Sequence, residues 1–342
     1  MNSPSIKHCL KVFPFILGIF LIVIILNYTG ITLKTGSDIA AKIPFYYIMA
    51  IVASNYAIIA LLGEKWRAIM ASLKPMMAAK RGYFTYYTAL GMMANICLPH
   101  IGTGLKIGSL KTLYGVPLSI GAVSMIIHQV FEFLVMMIFV VPSLLFVFGI
   151  VTIDTALRIL IPVLLFLGGI SFLKPVVVFD AVLGMFKKLR RIMSLLPLAR
   201  RYTGNAGDLD QIGSVRKMAG MVLVLSYLKF AATILNTYLI MMAVGMNISI
   251  MKVFLVAPLV YLVGLVGITP SGLGIVDAGW LGILLYLGID RPMIGHFLLA
   301  ERVLGTAASA MVVLITYSYY AGSSLLPKLW FKQESIDLSV DK

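Results

Sequence analysis

The sequence predicts an all-α polytopic integral membrane protein, with about six spanning helices and two re-entrant helical hairpins arranged as an inverted repeat of eight hydrophobic segments. Hydrophobic residues make up 61% of the 342 residues and charged residues only 12%, a composition that soluble domains do not have. Apolar runs reach the roughly 17 to 25 residues that a helix needs to cross a hydrocarbon core about 30 Å thick. The run FPFILGIFLIVIIL does not alternate, which argues against an outer-membrane barrel.

Six apolar segments are predicted to cross the bilayer. The first follows Lys7 and Lys11 and has no nearby small-residue cleavage site, so it is expected to be a retained helix and not a removed signal peptide. The predicted spans are residues 12–31, 43–62, 118–141, 158–178, 219–244 and 296–320.

Basic residues predict the orientation of these spans. The chain has 28 Lys and Arg against 13 Asp and Glu, and basic residues concentrate in residues 64–82 and 174–217. Because loops rich in Lys and Arg stay in the cytoplasm, both segments and both termini are predicted to face the cytoplasm, with the protein in the cytoplasmic (inner) membrane. Residues 186–202 carry six basic residues and an apolar stripe, which is typical of an interfacial helix on anionic lipid or of an ordinary basic loop.

Two further apolar segments, residues 83–117 and 253–289, contain Pro and Gly near their centres. If either segment crossed the membrane, the helices that follow it would end on the wrong side of the bilayer. The predicted orientation is kept if each segment enters the membrane, turns and leaves on the side from which it entered. Proline and glycine free backbone groups there, which are tolerated only when they are buried in protein or line a wet cavity. The predicted hairpin tips contain Pro99, Gly102, Gly104, Pro270, Gly272 and Gly274.

The two halves of the chain resemble each other. Gly115 precedes His128 by 13 residues, and Gly288 precedes Glu301 by the same 13 residues. This spacing predicts an inverted repeat of residues 1–178 and 219–342, joined by a basic cytoplasmic linker at 179–218, as in many secondary transporters. The alternative is a chance match, because Gly and Pro are common in transmembrane helices.

Ionisable residues inside predicted spans are the first candidates for a functional site, because charges at membrane depth are expensive and face a cavity or a partner. His128 and Glu132 are four residues apart and share a helix face. Glu301 and Arg302 lie on the counterpart helix. The alternative is a polar clamp between helices. The candidates from these two helices are His128, Gln129, Glu132, Glu301 and Arg302.

Residues near the hairpin tips form a second group of candidates. Lys106 and Lys111 are placed to attract a phosphate, or else to extend to the interface. Asp277 follows the second tip in the first turn of a helix, where a carboxylate caps free amides or binds a proton or ion. Lys229 and Asn236 are weaker candidates for the same cavity.

Several classes of function are excluded or disfavoured. The sequence has no phosphate-binding glycine loop, zinc-binding histidine pair or serine elbow, and its longest polar segment is too short for a catalytic domain. We therefore expect no enzymatic activity, no cofactor and no metal. The sequence contains no basic domain with interleaved aromatic residues, so nucleic-acid binding is not expected.

Four motifs together resemble the lysylphosphatidylglycerol synthase transmembrane family, flippase-like proteins similar to the membrane portion of the bacterial multiple peptide resistance factor. They are EKWRAIM at 64–70, NICLPHIGTGLKIGSLKTLYGV at 95–116, TPSGLGIVDAGW at 269–280 and ERVLGT at 301–306. The resemblance implies movement or handling of a phospholipid or lipid-linked envelope precursor. Leu105 stands where the family often has an acid, and Asp277 where it usually has Glu. No counterpart of the synthase's cytosolic aminoacyl-transfer domain is recognised, so lipid lysylation is not expected.

These observations favour a flippase-like transporter of an anionic phospholipid or a polyisoprenoid-linked precursor. Arg302, Lys106 and Lys111 are expected to hold phosphate, and Asn95 and Ser271 at the hairpin tips are included in the substrate site. Protons carried by Glu301, His128 or Glu132 are a candidate driving force. The alternatives are a non-transporting scaffold for a glycosyltransferase or envelope-assembly system and, less favoured, an intramembrane transferase. The sequence is compatible with a homodimer or an envelope-synthesis partner.

Overall fold

A computed structural model describes residues 4–31, 42–75, 77, 79–98, 100–174, 218–265 and 269–337. Residues 179–217 of the predicted linker at 179–218, the interfacial segment at 186–202 and the tip residue Pro99 lie outside the described residues.

The described residues are helical, and no β-strand occurs among them. A short 3-10 turn at Pro270–Gly272 separates two of the helices. The helices are α1 (Pro4–Thr29), α2 (Phe45–Leu73), α3 (Arg81–Cys97), α4 (Ile101–Tyr114), α5 (Leu118–Val147), α6 (Ile153–Leu173), α7 (Ala219–Ala243), α8 (Ile250–Leu265), α9 (Ile275–Tyr286) and α10 (Arg291–Asp337).

Four helices within the described residues are long and apolar enough to cross a membrane. They are α2 with 29 residues, α5 with 30, α7 with 25, and the first 30 residues of α10, Arg291–Tyr320. Each exceeds the roughly 20 residues that a span requires. The chain is therefore an integral membrane protein, and these helices correspond to four of the six predicted spans. Helices α1 and α6 occupy the positions of the other two.

Helix α2 is longer than the predicted second span. Helix α2 continues past Leu62 to Leu73, so the first part of the supposed cytoplasmic segment 64–82 is helical. Its buried face continues through Lys65, Trp66 and Ile69, at the three- and four-residue spacing of one helix face. One buried helix face therefore continues across the predicted end of the span at Leu62.

The first pair of short helices forms a hairpin around His100. Helix α3 ends at Cys97 and α4 begins at Ile101, while His100 has a left-handed φ of 65°. The two helices touch through backbone at Gly91 and Gly102, where a Cβ on Gly102 would lie 2.8 Å from Gly91 Cα. The Asn95 side-chain oxygen accepts a 2.8 Å hydrogen bond from Gly102 N. The break predicted in this segment is therefore present and is fastened by close contacts.

The second pair, α8 and α9, is separated by the 3-10 turn and by backbone with positive φ. Ser271 has φ 46°, and Gly272 and Gly274 have φ 68° and 76°. Helix α1 packs over this turn, because a Cβ on Gly274 would lie 2.8 Å from Gly18 O. Glycine at position 274 is thus required both by its conformation and by the closeness of α1.

Each pair of short helices packs against a long helix from a distant part of the chain. Helices α2 and α7 make the most extensive interface, α3 packs against α10, and α8 packs against α5. Helix α3 also touches the 3-10 turn of the second pair. This packing brings the two broken segments together inside the bundle.

Candidate functional site

A cluster of buried charges lies where α2, α5 and α7 meet. The Lys65 side chain is 0% exposed, and its ammonium donates to Glu132 Oε1 and, over 3.1 Å, to Ser226 Oγ. It also donates to the backbone oxygen of His128 over 3.3 Å. An ammonium at membrane depth requires such partners, because its desolvation is costly.

The same carboxylate binds a second lysine. Lys229, on α7, donates to Glu132 Oε2 over 2.7 Å. Glu132 therefore uses one oxygen for each of two ammonium groups, and its charge compensates only one of them. Lys229 was a weak candidate from the sequence, and Lys65 was assigned to a cytoplasmic segment, yet both are central to this cluster.

His128 lies one helical turn from Glu132 and is also buried, with 9% of its surface exposed. The shared face of these two side chains, predicted from their spacing, is confirmed. Its Nδ1 atom has no hydrogen-bond partner in the described structure. A buried polar atom without a partner is uncommon, and it marks a position that a ligand or water would satisfy.

Lys106 brings the first hairpin to this cluster. Its ammonium lies 5.5 Å from the centre of the Trp66 ring, and its charge interacts with those of Lys65 and Glu132. Within the described residues, no carboxylate lies at ion-pairing distance from Lys106. Gly91 allows the approach, because a Cβ at that position would lie 3.2 Å from Lys106 Cε.

A groove of about 440 Å³ runs along one face of α4, the helix that carries Lys106. It is lined by Tyr87, Ile101, Gly104, Leu105, Gly108, Ser109 and Thr112. Ser109, which lines the groove, donates a 2.9 Å hydrogen bond to the Lys106 backbone carbonyl oxygen. Its hydroxyl is also hydrogen bonded to Tyr83 Oη at 2.7 Å. Leu105, which lines the groove, is itself an exposed side chain.

A second charged centre lies under the turn of the other hairpin. Arg302 binds Asp277 through two hydrogen bonds, Nε to Oδ1 at 3.0 Å and Nη2 to Oδ2 at 2.6 Å. Its Nη1 also donates to Ser271 O over 3.3 Å. Asp277 Oδ2 accepts from Gly274 N over 2.7 Å, which is the capping interaction expected from its position. The arginine therefore fastens the turn to α10.

Arg302 binds Asp277 of α9, so this pair has the geometry of the polar clamp between helices that is the alternative to a functional role. Glu301 Oε2 and Thr269 Oγ1 are buried without a hydrogen-bond partner in the described structure. The charge of Glu301 acts on Tyr261, whose hydroxyl is hydrogen bonded to Thr237. Arg302 and Asp277 compensate each other's charge, and Glu301 is an additional buried acidic group beside them.

The remaining candidates lie apart from both centres. Gln129 and Lys111 are exposed. Asn95 binds Gly102 within the first hairpin, and Asn236 accepts a 2.7 Å hydrogen bond from Ser54 on α2. Within the described residues, no group of three or more His, Cys, Asp or Glu side chains is placed to share a metal ion.

The comparison with known families identifies the chain. The sequence model of the lysylphosphatidylglycerol synthase TM region matches residues 14–324, which include both charged centres. The chain belongs to this family. Membership of the synthase TM region family agrees with the resemblance drawn from the sequence motifs.

The chain is also similar to a UPF0104 membrane protein of Methanothermobacter thermautotrophicus. The two are 25% identical over 151 residues, which are 41% of this chain and 45% of the relative. The chain thus matches less than half the length of that protein. No solved structure matches the chain.

Proposed function

We propose that this protein is a flippase-like transporter that moves an anionic phospholipid or a lipid-linked envelope precursor across the cytoplasmic membrane. The observation that carries the proposal is an excess of buried positive charge where α2, α4, α5 and α7 come together. Lys65 and Lys229 bind the carboxylate of Glu132, and Lys106 interacts with it electrostatically from α4. An excess of buried positive charge is costly in a medium of low dielectric constant, and an anionic ligand relieves that cost.

The position of the charge relative to the groove suggests how a lipid binds. Lys106 and Ser109 belong to the same turn of α4, and the open groove beside them is largely apolar. A head-group phosphate at Lys106 leaves the acyl chains in this groove and in the surrounding lipid. The proposed site therefore divides a lipid into a charged part inside the bundle and an apolar part outside it.

Re-entrant hairpins would provide the path for the head group. The arms α3, α4, α8 and α9 have 17, 14, 16 and 12 residues. At about 1.5 Å per residue they are roughly 18 to 26 Å long, which is short of a hydrocarbon core of about 30 Å. The reciprocal packing of α3 on α10 and of α8 on α5 supports an inverted repeat with both tips near the midplane.

Cysteine accessibility tests this topology. In a variant without Cys9 and Cys97, we expect cysteines at Lys80 and Leu113 to react with an impermeant maleimide only from the cytoplasmic face. Cysteines at Met251 and Asp290 should react only from outside. All four native side chains are exposed.

The measurement is labelling in right-side-out and inverted vesicles, and it compares the two ends of each hairpin. Labelling of two ends from opposite faces would mean that the segment crosses the membrane, and the re-entrant arrangement would be wrong.

Transport by the purified protein tests the proposed function. In liposomes carrying a fluorescent anionic phospholipid, the wild type should move lipid between leaflets, and Lys106→Gln should slow this by roughly 10- to 100-fold. The reason is that a hydrogen bond to a charged group contributes about 1.5 to 3 kcal/mol. The readout is the fraction of lipid protected from a membrane-impermeant quencher.

The matched control is Lys111→Gln, which removes an exposed lysine from the same helix and should leave the rate unchanged. Thermal unfolding in detergent should show that Lys106→Gln is no less stable than the wild type, because it removes a charge that no carboxylate compensates. A wild type that moves no lipid, while still binding envelope-synthesis proteins, would favour the scaffold.

A further inference from the structure

We infer that the head group recognised by the buried cluster is a phosphate monoester and not a phosphodiester. This inference deepens the proposed function and rests on it. It concerns the charge and the oxygen atoms of the ligand, and it therefore predicts a preference among lipids that share the same acyl chains.

The charge of the cluster is the first argument. In the described structure, the charged groups that act on His128 are Lys65, Lys106, Lys229 and Glu132. Three ammonium groups and one carboxylate give a net charge of two positive units, with His128 neutral. Lys65, Glu132 and Lys229 lie on α2, α5 and α7, which are long enough to span a membrane, and an uncompensated charge there is expensive.

The charge of the ligand is the second argument. A phosphodiester carries one negative charge, whereas a phosphate monoester carries about 1.5 to 2 negative charges near neutral pH, because its second pKa is about 6. A monoester therefore neutralises the cluster almost completely, and a diester leaves about one positive unit uncompensated. In a low-dielectric interior, this difference favours the monoester.

The hydrogen-bond donors around the cluster give a third argument. Both oxygens of Glu132 are already bound to lysines. Two groups remain available: the Lys106 ammonium, which has no carboxylate partner in the described chain, and His128 Nδ1, which has no partner at all there. In the tautomer protonated at this nitrogen, His128 donates to a phosphate oxygen. A monoester offers three terminal oxygens, one more than a diester.

The second charged centre does not compete for the phosphate. Arg302 is held by both oxygens of Asp277 and by the carbonyl of Ser271, so its charge is already compensated. This centre has no excess positive charge with which to attract an anion. The assignment of phosphate to Arg302, expected from the sequence, is therefore replaced by an assignment to Lys106 and His128.

The test compares two lipids in the same proteoliposomes. Fluorescent phosphatidic acid presents a monoester, and fluorescent phosphatidylglycerol with the same acyl chains presents a diester. We expect the full chain to move the monoester at least about 10-fold faster at neutral pH. Lys106→Gln should reduce monoester transport at least about 10-fold more than diester transport, because it lowers the cluster charge to one positive unit. Lys111→Gln should leave the ratio of the two rates unchanged.

The outcomes separate this inference from the proposed function. Equal rates, or faster movement of the diester, would overturn the monoester preference while leaving lipid transport in place. Movement of neither lipid would overturn both. Inorganic phosphate added at millimolar concentration provides the last comparison: little inhibition supports a lipid ligand, whereas complete inhibition would assign the site to free phosphate and overturn the lipid assignment.

Discussion

Gly102→Ala is expected to prevent the first hairpin from closing, with a loss of folded protein larger than that of any other single methyl addition in α4. The new Cβ would overlap Gly91 O and would lie 2.8 Å from Gly91 Cα. Both groups belong to helix backbone, so no side chain can rotate to make room. Overpacking of a core costs typically about 1 to 3 kcal/mol, and we expect a cost at the upper end of this range or above it.

The measurement is the yield of monodisperse protein in detergent, together with its thermal unfolding temperature. Gly104→Ala and Gly108→Ala are the matched controls on the same helix, because nothing lies within 4 Å of a Cβ at either position. They should be neutral or should stabilise by about 0.5 to 1 kcal/mol, since alanine favours a helix more than glycine does. Gly102→Ala protein with wild-type stability would show that α3 and α4 are farther apart than described.

Glu132→Gln is expected to destabilise the protein by about 3 to 5 kcal/mol, the usual cost of removing one partner from a buried ion pair. The substitution leaves the fully buried ammonium of Lys65 and that of Lys229 without a carboxylate. The unfolding temperature in detergent measures the effect.

Two comparisons make this test specific. Glu64→Gln, at a partly exposed carboxylate that pairs with Arg67 and Arg81, should cost no more than about 1 kcal/mol. Adding Lys65→Met to Glu132→Gln should recover much of the loss, because it removes the buried charge. If the double variant is as unstable as Glu132→Gln, the unpaired charge of Lys65 is not the cause of the lost stability.

The sequence predicted the features that depend on local spacing. The four-residue separation of His128 and Glu132 placed them on one face, and the Pro and Gly residues located both breaks between short helices. The burial of Lys65 was not predicted, because its charge indicated only that the segment faces the cytoplasm. The buried positions Asn55, Ile58, Leu62 and Ile69 share its helix face, and this periodicity was the signal that could have placed it in the core.

Contacts between distant parts of the chain could not be predicted in the same way. Arg302 and Asp277 are 25 residues apart, and their pairing depends on how the second turn packs against α10. Lys229 and Glu132 are separated by 97 residues. Such pairs depend on how the helices pack against one another. Local residue patterns contain little information about that packing.

The packing of α3 against α10 has a consequence for the order in which the protein is made. About 190 residues separate the end of α3 from the start of α10, which corresponds to roughly 10 to 40 s of synthesis at about 5 to 20 residues per second. During translation, α3 therefore lacks its contact with α10 until α10 has been made. Helix α8, in contrast, meets α5, which has already left the ribosome. Assembly of these two interfaces is therefore asymmetric in time: the interface of α8 with α5 forms as α8 is made, and the interface of α3 with α10 forms only late in synthesis.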